Sequence, residues 1–293
     1  MPHIPVLLKE TIELLDPKPN DNFIDCTFGR GGHSAAILEK TAPEGIVIGL
    51  DWDNESLESF LDENRGKMSQ RLILENLNFA QVGQAAGIGR LKKIDGVLFD
   101  LGMSSWHVDE SAKGFSFSKN EPLDMRYDRE NPLTAARIVN EWSAPDLEKI
   151  FCDYGEEKRA RKIANDIAKA RSQKPIETTA QLAAIIARIA GPQKVQSGAR
   201  VFQALRIAVN REFENIEQGL DQAFGIMVPG ARMAVITFHS LEDRIVKNKF
   251  RELVSQGKAN LINGKPITPA DEEVSRNPRA RSAKLRAIVK TRY

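Results

Sequence analysis

A glycine-rich segment near the start of the chain has the residue types and spacing of a nucleotide-binding loop. Residues 23–34 read FIDCTFGRGGHS, with an acid at Asp25 and glycines at Gly29, Gly31 and Gly32. Apolar β-forming residues precede the loop and a helical pattern follows it, as in the first strand-to-helix turn of a doubly wound sheet. Because glycine has no Cβ atom, a ligand can approach the backbone closely at such a turn.

The spacing separates this loop from the dinucleotide-binding fingerprint. That fingerprint has a third glycine where this chain has Ser34. The pattern present, Asp25-x-x-x-Gly29-x-Gly31, resembles the first motif of Rossmann-like S-adenosylmethionine-dependent methyltransferases. Asp51 ends the next apolar run, about 20 residues beyond the glycines, where an acid can accept hydrogen bonds from both ribose hydroxyls. The alternative is a glycine-rich turn in which Asp25 and Asp51 only cap a helix or a turn.

The composition is that of a globular protein with room for one large domain or two smaller ones. Of the 293 residues, 41% are hydrophobic and 28% are charged. No apolar run approaches the roughly 20 residues of a membrane helix, and residues 1–10 lack the features of a signal peptide. We therefore expect a cytoplasmic protein with no membrane partner. The spacing of Cys26, Cys152 and the four histidines predicts neither a disulfide nor a metal site.

The net charge of +2 hides two clusters of basic residues. The segment 276–293 has no acid and carries Arg276, Arg279, Arg281, Lys284, Arg286, Lys290 and Arg292. A predicted helix carries Lys158, Arg159, Arg161, Lys162, Lys169, Arg171 and Lys174. Such clusters are typical of proteins that bind a polyanion. The alternative is a solvated helix face together with a charged tail.

Strand-like and helical patterns alternate in the first part of the chain. Strands are predicted near residues 22–26, 46–50, 72–75 and 96–101, which favours a parallel βαβ sheet. From about residue 109 to residue 198 only helical patterns follow. They lie around 145–152, at 156–172 and in TTAQLAAIIARIAG, whose N-cap is Thr178 or Thr179.

The sheet domain is predicted to resume after these helices. One long amphipathic helix is indicated by apolar residues at steps of three and four, namely Phe202, Leu205, Val209, Phe213, Ile216, Leu220 and Phe224. A fifth strand is predicted from Met233 to Phe238, and the segment beginning at Ser240 is predicted to cap the next helix. We therefore predict a Rossmann-like domain formed by residues 1–108 and 199–293, with a helical insertion over 109–198.

Several separated motifs resemble the RsmH, or MraW, family of ribosomal RNA cytosine methyltransferases. The matching segments are VLLKE (6–10), DCTFGRGGHS (25–34), GLDWD (49–53), FDLGMSS (99–105), KGFSFS (113–118), PLDMR (122–126), FQALRIAVN (202–210), FHSLEDRIVK (238–247) and NPRARSAKLR (277–286). They span nearly the whole chain and lie on both sides of the predicted insertion. The resemblance implies an α/β, Rossmann-like class I S-adenosylmethionine-dependent methyltransferase with an inserted all-helical domain that recognises RNA.

The resemblance also implies an activity and a set of binding residues. Family members transfer a methyl group from S-adenosylmethionine to the exocyclic N4 amine of a cytosine in the decoding region of 16S ribosomal RNA. Backbone groups of Gly31, Gly32 and His33 would hold the methionine end of the cofactor. Asp51 would bind the ribose.

Three further residues would complete the cofactor site. Phe79 matches the family's aromatic residue beside the adenine, although an ordinary core phenylalanine is the alternative. Asp100 ends the fourth strand at the carboxyl edge, where open α/β sheets bind ligands. His107 departs from the glutamine of many members, so its polar contact would have a different geometry. The segment 196–200 also departs from the family pattern, which leaves an RNA contact there open.

Asp100 is also the candidate catalytic residue. The lone pair of an exocyclic cytosine amine is delocalised into the ring, so an acceptor for its N–H groups would help to localise it. Asp100 could then take the proton after methyl transfer, although an acid that only binds the cofactor is the alternative. Methylation at ring carbon 5 would normally need a cysteine nucleophile. Neither Cys26 in the loop nor Cys152 in the insertion has that setting.

A target base must leave its stack and enter a pocket with aromatic or apolar walls. The candidate rings are Trp106, Phe115, Phe117 and Phe238. His239 either faces this pocket or has a structural role. The expected partner is 16S rRNA or the small ribosomal subunit, and a homodimer is left open. The rival hypotheses are a methyltransferase with a non-RNA acceptor and a ribosome-assembly factor without turnover.

Overall fold

The chain folds as two compact units in the computed structural model, which describes residues 5–88, 91, 93–103 and 105–291. One unit comprises Met1–Gly102 and Phe213–Tyr293, and the other comprises Met103–Glu212. Ser104 and Arg292, which belong to segments singled out from the sequence, lie outside the described residues.

A single sheet, seven-stranded over the described residues, organises the first unit. Its strands are β1 (Phe23–Asp25), β2 (Val47–Asp51), β3 (Leu72–Asn76), β4 (Gly96–Asp100), β5 (Arg232–Thr237), β6 (Ala259–Leu261) and β7 (Lys284–Lys290). They lie in the order β3-β2-β1-β4-β5-β7-β6. The pairs among β1 to β5 are parallel, whereas β7 is antiparallel to β5 and β6. The predicted Rossmann-like class I methyltransferase fold is confirmed by this order, which reverses between β1 and β4.

Helices surround the sheet and form the second unit. In chain order they are α1 (Leu8–Leu15), α2 (Gly32–Lys40), α3 (Asn54–Glu63), α4 (Val82–Ile88), α5 (Ser105–Asp109), α6 (Ala135–Glu141), α7 (Ala144–Asp153), α8 (Ala160–Arg171), α9 (Thr179–Ala190), α10 (Lys194–Asn210), α11 (Glu212–Ile226), α12 (Ser240–Ser255) and α13 (Asp271–Arg276). Among the described residues, no helix has both the length and the apolar character needed to cross a membrane.

Side chains alternate between the two faces of the sheet, as the period of a strand requires. In β2, Ile48 and Leu50 belong to one apolar core and Val47 belongs to the other. Helices α4, α11 and α12 contribute to the first core, and α1 and α2 contribute to the second. Both faces are therefore buried, which is the usual condition of parallel strands.

The helical unit has a core of its own. Helices α6 to α10 all contribute buried side chains to it, among them Ile138, Leu147, Phe151, Ile163, Ile167, Leu182, Ile186 and Leu205. Helix α9 begins with a capping box, in which the Thr178 side chain accepts from the N–H of Gln181 and the Gln181 side chain accepts from the N–H of Thr178. The sequence offered Thr178 or Thr179 as this N-cap, and the structure selects Thr178.

The single long helix predicted from Phe202 to Phe224 is wrong, because two helices occupy this range. Arg211, between α10 and α11, adopts a left-handed conformation with φ of 49°. Such a residue ends a helix, and glycine or asparagine usually occupies the position. An arginine gives no sequence signal for it.

The helical unit is also longer than the predicted 109–198, because it spans Met103–Glu212. Helix α10 lies inside it, since Val201, Leu205 and Val209 are buried in the core of the helical unit. The apolar periodicity identifies the buried face of a helix but not the core against which that face packs.

The basic segment that begins at Arg276 contributes a strand to the sheet rather than forming a tail. Over its described residues it ends α13, makes a short 3₁₀ turn and continues as β7. The Arg286 guanidinium donates to both carboxylate oxygens of Asp243 at 2.6 and 3.1 Å. The Lys290 ammonium donates to the carbonyl oxygen of Phe224 at 2.8 Å. These two cations therefore stabilise the fold.

Candidate functional site

The glycine loop after β1 is built around a buried phenylalanine. Gly29 and Gly31 have φ angles of 54° and 73°, which glycine adopts without a steric penalty. A Cβ atom on Gly31 would lie 2.6 Å from Cζ of Phe28, and one on Gly49 in β2 would lie 2.5 Å from Cδ2 of the same ring. The loop can therefore seat Phe28 only because positions 31 and 49 carry no side chain.

Asp25 holds the loop in this conformation. Its Oδ2 atom accepts a 2.7 Å hydrogen bond from the hydroxyl of Ser34, and its Oδ1 atom accepts from the N–H of Thr27 at 3.2 Å. The side chain is buried, and burial raises the pKa of this carboxyl group. Ser34 replaces the third glycine of the dinucleotide fingerprint, and its hydroxyl is needed to satisfy the buried acid.

Asp51 ends β2 beside the loop. Its Oδ2 atom accepts from the N–H of Gly29 at 3.1 Å, and its Oδ1 atom accepts from the N–H of Asp53 at 3.0 Å. These bonds fix the plane of the carboxylate. Each oxygen of a carboxylate can accept more than one hydrogen bond, so an acid held in this way is the kind of group that binds hydroxyls.

Phe79 lies at the carboxyl end of β3, in a short 3₁₀ turn that begins there. Its ring meets Phe99 edge to face with 5.8 Å between the centroids. A Cβ atom on Gly219 of α11 would lie 2.9 Å from Cδ2 of Phe79, so the ring can occupy this position because residue 219 has no side chain. Phe79 is half-buried and packs only partly into the core. Both its adenine-side assignment and the core alternative are compatible with this position.

Asp100 ends β4 and is held from several directions. Its N–H donates to Oγ1 of Thr27 at 2.6 Å, and its Oδ1 atom accepts from the N–H of Gly102 at 3.3 Å. Its Oδ2 atom lies 3.7 Å from Nδ1 of His33. Burial raises the pKa of Asp100 to about 6, although 18% of the side chain is exposed. The carboxyl group is therefore poised to exchange a proton near neutral pH.

The sheet brings most of the predicted cofactor residues to one edge. Gly31, Gly32 and His33 follow β1, while Asp51, Phe79 and Asp100 end or follow β2, β3 and β4. Parallel strands present their carboxyl ends at the same edge, which is where open α/β sheets bind ligands. The assignment of these residues to a cofactor remains a prediction.

His107 belongs to the helical unit, where it lies in α5. It is buried, and its ring centroid is 4.8 Å from that of Tyr127 and 5.3 Å from that of Phe115. The Phe115 and Tyr127 rings stack at 5.2 Å. Trp106 is also in contact with His107, at 5.4 Å. The role of His107 as a cofactor ligand stays a prediction.

His239 has a structural role at the start of α12. It is the N-cap of this helix, whereas the sequence predicts Ser240 as the first capping residue. Its side chain accepts from the N–H of Glu242, and the Glu242 carboxylate accepts from the N–H of Phe238 at 2.8 Å and from that of His239 at 3.3 Å. Histidine is an unusual N-cap residue, which explains why the sequence pattern points to Ser240 instead.

A sequence model of the MraW methylase family matches residues 1–291. The chain belongs to the MraW methylase family. It is 46% identical over 307 residues to the ribosomal RNA small subunit methyltransferase H of Symbiobacterium thermophilum, covering 98% of this chain and 96% of that protein. The protein of the same name from Desulfotalea psychrophila is 44% identical over 292 residues, with 98% of both chains covered.

This MraW methylase contains site residues that the motifs alone did not single out. Phe28 anchors the loop, and the Phe60 ring packs edge to face on the Phe28 ring with 4.8 Å between the centroids. Arg30 lies over the Phe60 ring at 5.7 Å and pairs with Glu63 of α3. A large apolar residue inside a glycine-rich turn was the available signal for Phe28. The Arg30–Glu63 pair gave none, because it depends on the path of α3.

Gly31→Ala is expected to destabilise the protein by about 1–3 kcal/mol more than Gly66→Ala. Gly66 is the matched control because its φ of 76° is close to the 73° of Gly31, while no atom lies within 4 Å of its Cβ position. Both variants incur the left-handed strain of about 1–2 kcal/mol. Only Gly31→Ala also collides with Phe28. Denaturant unfolding measures both, and equal losses would contradict the role given to Phe28.

Proposed function

We propose that this protein transfers a methyl group from S-adenosylmethionine to the exocyclic N4 amine of a cytosine in the decoding region of 16S ribosomal RNA. The structural observation behind the proposal is the position of Asp100, a hydrogen-bonded acid that ends β4 at the carboxyl edge of the sheet, beside the glycine loop. Family membership and the names of the relatives support a ribosomal RNA substrate. Such a substrate implies action in the cytoplasm.

The residues at the sheet edge fit S-adenosylmethionine. Gly29 and Gly31 leave a backbone cradle without side chains, and their conformations strongly favour glycine. Asp51 presents a carboxylate oriented by two backbone N–H groups, and carboxylates accept hydrogen bonds from hydroxyls such as those of a ribose. Phe79 offers apolar area for an adenine ring. When bound, this cofactor supplies a methyl group that is already activated on a sulfonium.

Asp100 has the properties needed to act on an amine. Its carboxylate can accept an N–H of the cytosine amine, which opposes delocalisation of the nitrogen lone pair into the ring. Because its pKa is about 6, most of the group is ionised at neutral pH while it remains able to take a proton. We assign it both roles, in addition to its place at the edge of the cofactor site.

The cysteines support a nitrogen acceptor over ring carbon 5. Cys26 is buried at the end of β1, and burial raises the pKa of its thiol well above the ordinary value. Cys152 is exposed on α7 of the helical unit, where partial desolvation and neighbouring carboxylates raise the pKa of its thiol. A nucleophilic cysteine needs a lowered pKa or an adjacent base.

Helix α8 is the RNA-binding surface that we propose within the helical unit. Its exposed cations are Arg161, Lys162 and Lys169, with Lys158 and Lys174 exposed just beyond its ends. Arg171 differs, because its guanidinium donates to the carbonyl oxygen of Val139 at 2.7 Å. The apolar face of the helix is buried, so its cations form a solvent-facing row suited to phosphate contacts.

Methyl transfer to cytosine N4 is the first expected outcome. The purified protein is incubated with methyl-labelled S-adenosylmethionine and small ribosomal subunits that lack the modification, and nucleosides are then identified by mass spectrometry. We expect label in cytidine methylated on its exocyclic amine. Label in another nucleoside would contradict the acceptor. Tight cofactor binding without transfer would favour a non-RNA acceptor or an assembly factor.

Asp51→Ala is expected to weaken cofactor binding by about tenfold to a hundredfold, because hydrogen bonds to a charged acceptor are lost. Asp51→Asn keeps one acceptor oxygen and should lose less. RNA affinity should stay unchanged in both variants. Isothermal titration calorimetry checks the cofactor affinity, and a value equal to that of the wild type would remove Asp51 from the binding site.

Charge reversal on α8 is expected to weaken RNA binding. For Arg161→Glu with Lys162→Glu, the slope of log K against log salt should fall in magnitude by about 2, because two phosphate contacts are lost. The matched control is Arg65→Glu with Lys67→Glu, which makes the same charge change on an exposed turn after α3. Equal salt slopes in the two double variants would show that only net charge matters.

A further inference from the structure

The imidazole of His33 lies between a backbone carbonyl and a carboxylate. The side chain is buried. Its Nε2 atom is 3.0 Å from the carbonyl oxygen of Val6, and its Nδ1 atom is 3.7 Å from Oδ2 of Asp100. A carbonyl oxygen only accepts hydrogen bonds, so Nε2 carries a proton in this contact.

This assignment decides what Nδ1 presents to Asp100. In a neutral imidazole protonated at Nε2, Nδ1 carries a lone pair. A lone pair and an ionised carboxylate are both acceptors, so their contact is unfavourable. It becomes favourable when either partner binds one more proton, giving an imidazolium beside a carboxylate or a neutral imidazole beside a carboxylic acid. The geometry is therefore that of a pair built to hold one proton.

The groups that face Asp100 come from several elements. Asp25 on β1 and Glu242 on α12 are carboxylates, and both raise its pKa in addition to the larger effect of burial. His33 on α2 and the N–H of Gly102 lower it. In its imidazolium form, His33 is the ionisable group in this set that favours the carboxylate form of Asp100.

We propose that His33 is a positioning residue for Asp100, and that the two together take up the proton released during methyl transfer. The proposal rests on the proposed function. In the reaction, N4 forms one N–C bond while the S–C bond breaks and its electron pair remains on sulfur as a thioether. The methylated N4 then loses one proton to Asp100, and the pair holds that proton as an imidazolium at His33 beside the carboxylate of Asp100.

Two amide variants separate proton binding from packing. The amide nitrogen of His33→Gln corresponds to Nε2 and can donate to the Val6 carbonyl. The amide of His33→Asn corresponds to Nδ1 and can hydrogen-bond Asp100. Neither amide titrates. A purely structural role of His33 would be rescued by at least one of them, whereas proton uptake would be rescued by neither.

The first readout needs neither cofactor nor RNA. The carboxyl carbon of Asp100 is followed against pH by ¹³C NMR and assigned by its loss in Asp100→Asn. We expect a midpoint near pH 6 in the wild type. In His33→Gln the midpoint should move to higher pH, because the group that favours the carboxylate is gone. A midpoint that does not move would overturn the coupling.

The second readout is the pH profile of single-turnover methyl transfer. In both amide variants we expect the rate at saturating cofactor to fall about tenfold or more. The acid limb of the profile should shift to higher pH, as the carboxyl titration does. Adding His33→Gln to Asp100→Asn should cause little further loss, because His33 acts through Asp100. Full additivity would overturn the proposal.

Failure of this inference and failure of the proposed function have different signatures. If the carboxyl midpoint shifts but no variant or wild-type protein methylates RNA, the pair exists and the proposed substrate is wrong. If the wild type methylates cytosine N4 and the amide variants keep its rate and pH profile, the proposed function stands and His33 has no part in proton uptake.

Discussion

The burial of carboxylates at the carboxyl edge of the sheet is the constraint on which the site depends. The acids concerned follow or end four different strands, namely Asp25, Asp51, Asp100 and Glu242. An ionised carboxylate removed from water without partners costs several kcal/mol. Each of these acids accepts hydrogen bonds from backbone N–H groups close to it along the chain. The loops at this edge are therefore shaped around acids, whose carboxylates are held by backbone groups of the loops themselves.

The sequence predicts those parts of the candidate site that depend on local chemistry. Glycine spacing and an acid at the end of an apolar run are features of a few consecutive residues, so the loop and Asp51 could be found without a structure. The contact of His33 with Asp100 could not be found in this way, because His33 lies on α2 after β1 whereas Asp100 ends β4, far along the chain. The same limit applies to β7, which reads as a basic tail because alternate residues such as Lys284 and Arg286 obscure its buried side.

Apolar periodicity gave the helices but not their assignment to a core. One stripe runs through α10 and α11, yet Leu205 packs in the helical unit and Leu220 packs against the sheet. The change of core occurs at Arg211, whose left-handed backbone ends α10 and lets α11 begin. Counting charges along the sequence has a similar weakness, because it does not show which charges are paired within the fold. Arg286 contributed to a predicted polyanion-binding cluster, whereas in the structure its charge is neutralised by Asp243.

One segment therefore does two things in this methylase. The glycine loop forms the cradle that we propose for the methionine end of the cofactor, and the same dozen residues hold the acid of β4. Thr27 accepts the N–H of Asp100, and His33 faces its carboxylate. The proposed methyl transfer to an amine requires that the donor and the proton acceptor be aligned together. In that mechanism both are positioned from β1 and its loop, so a single segment sets their alignment.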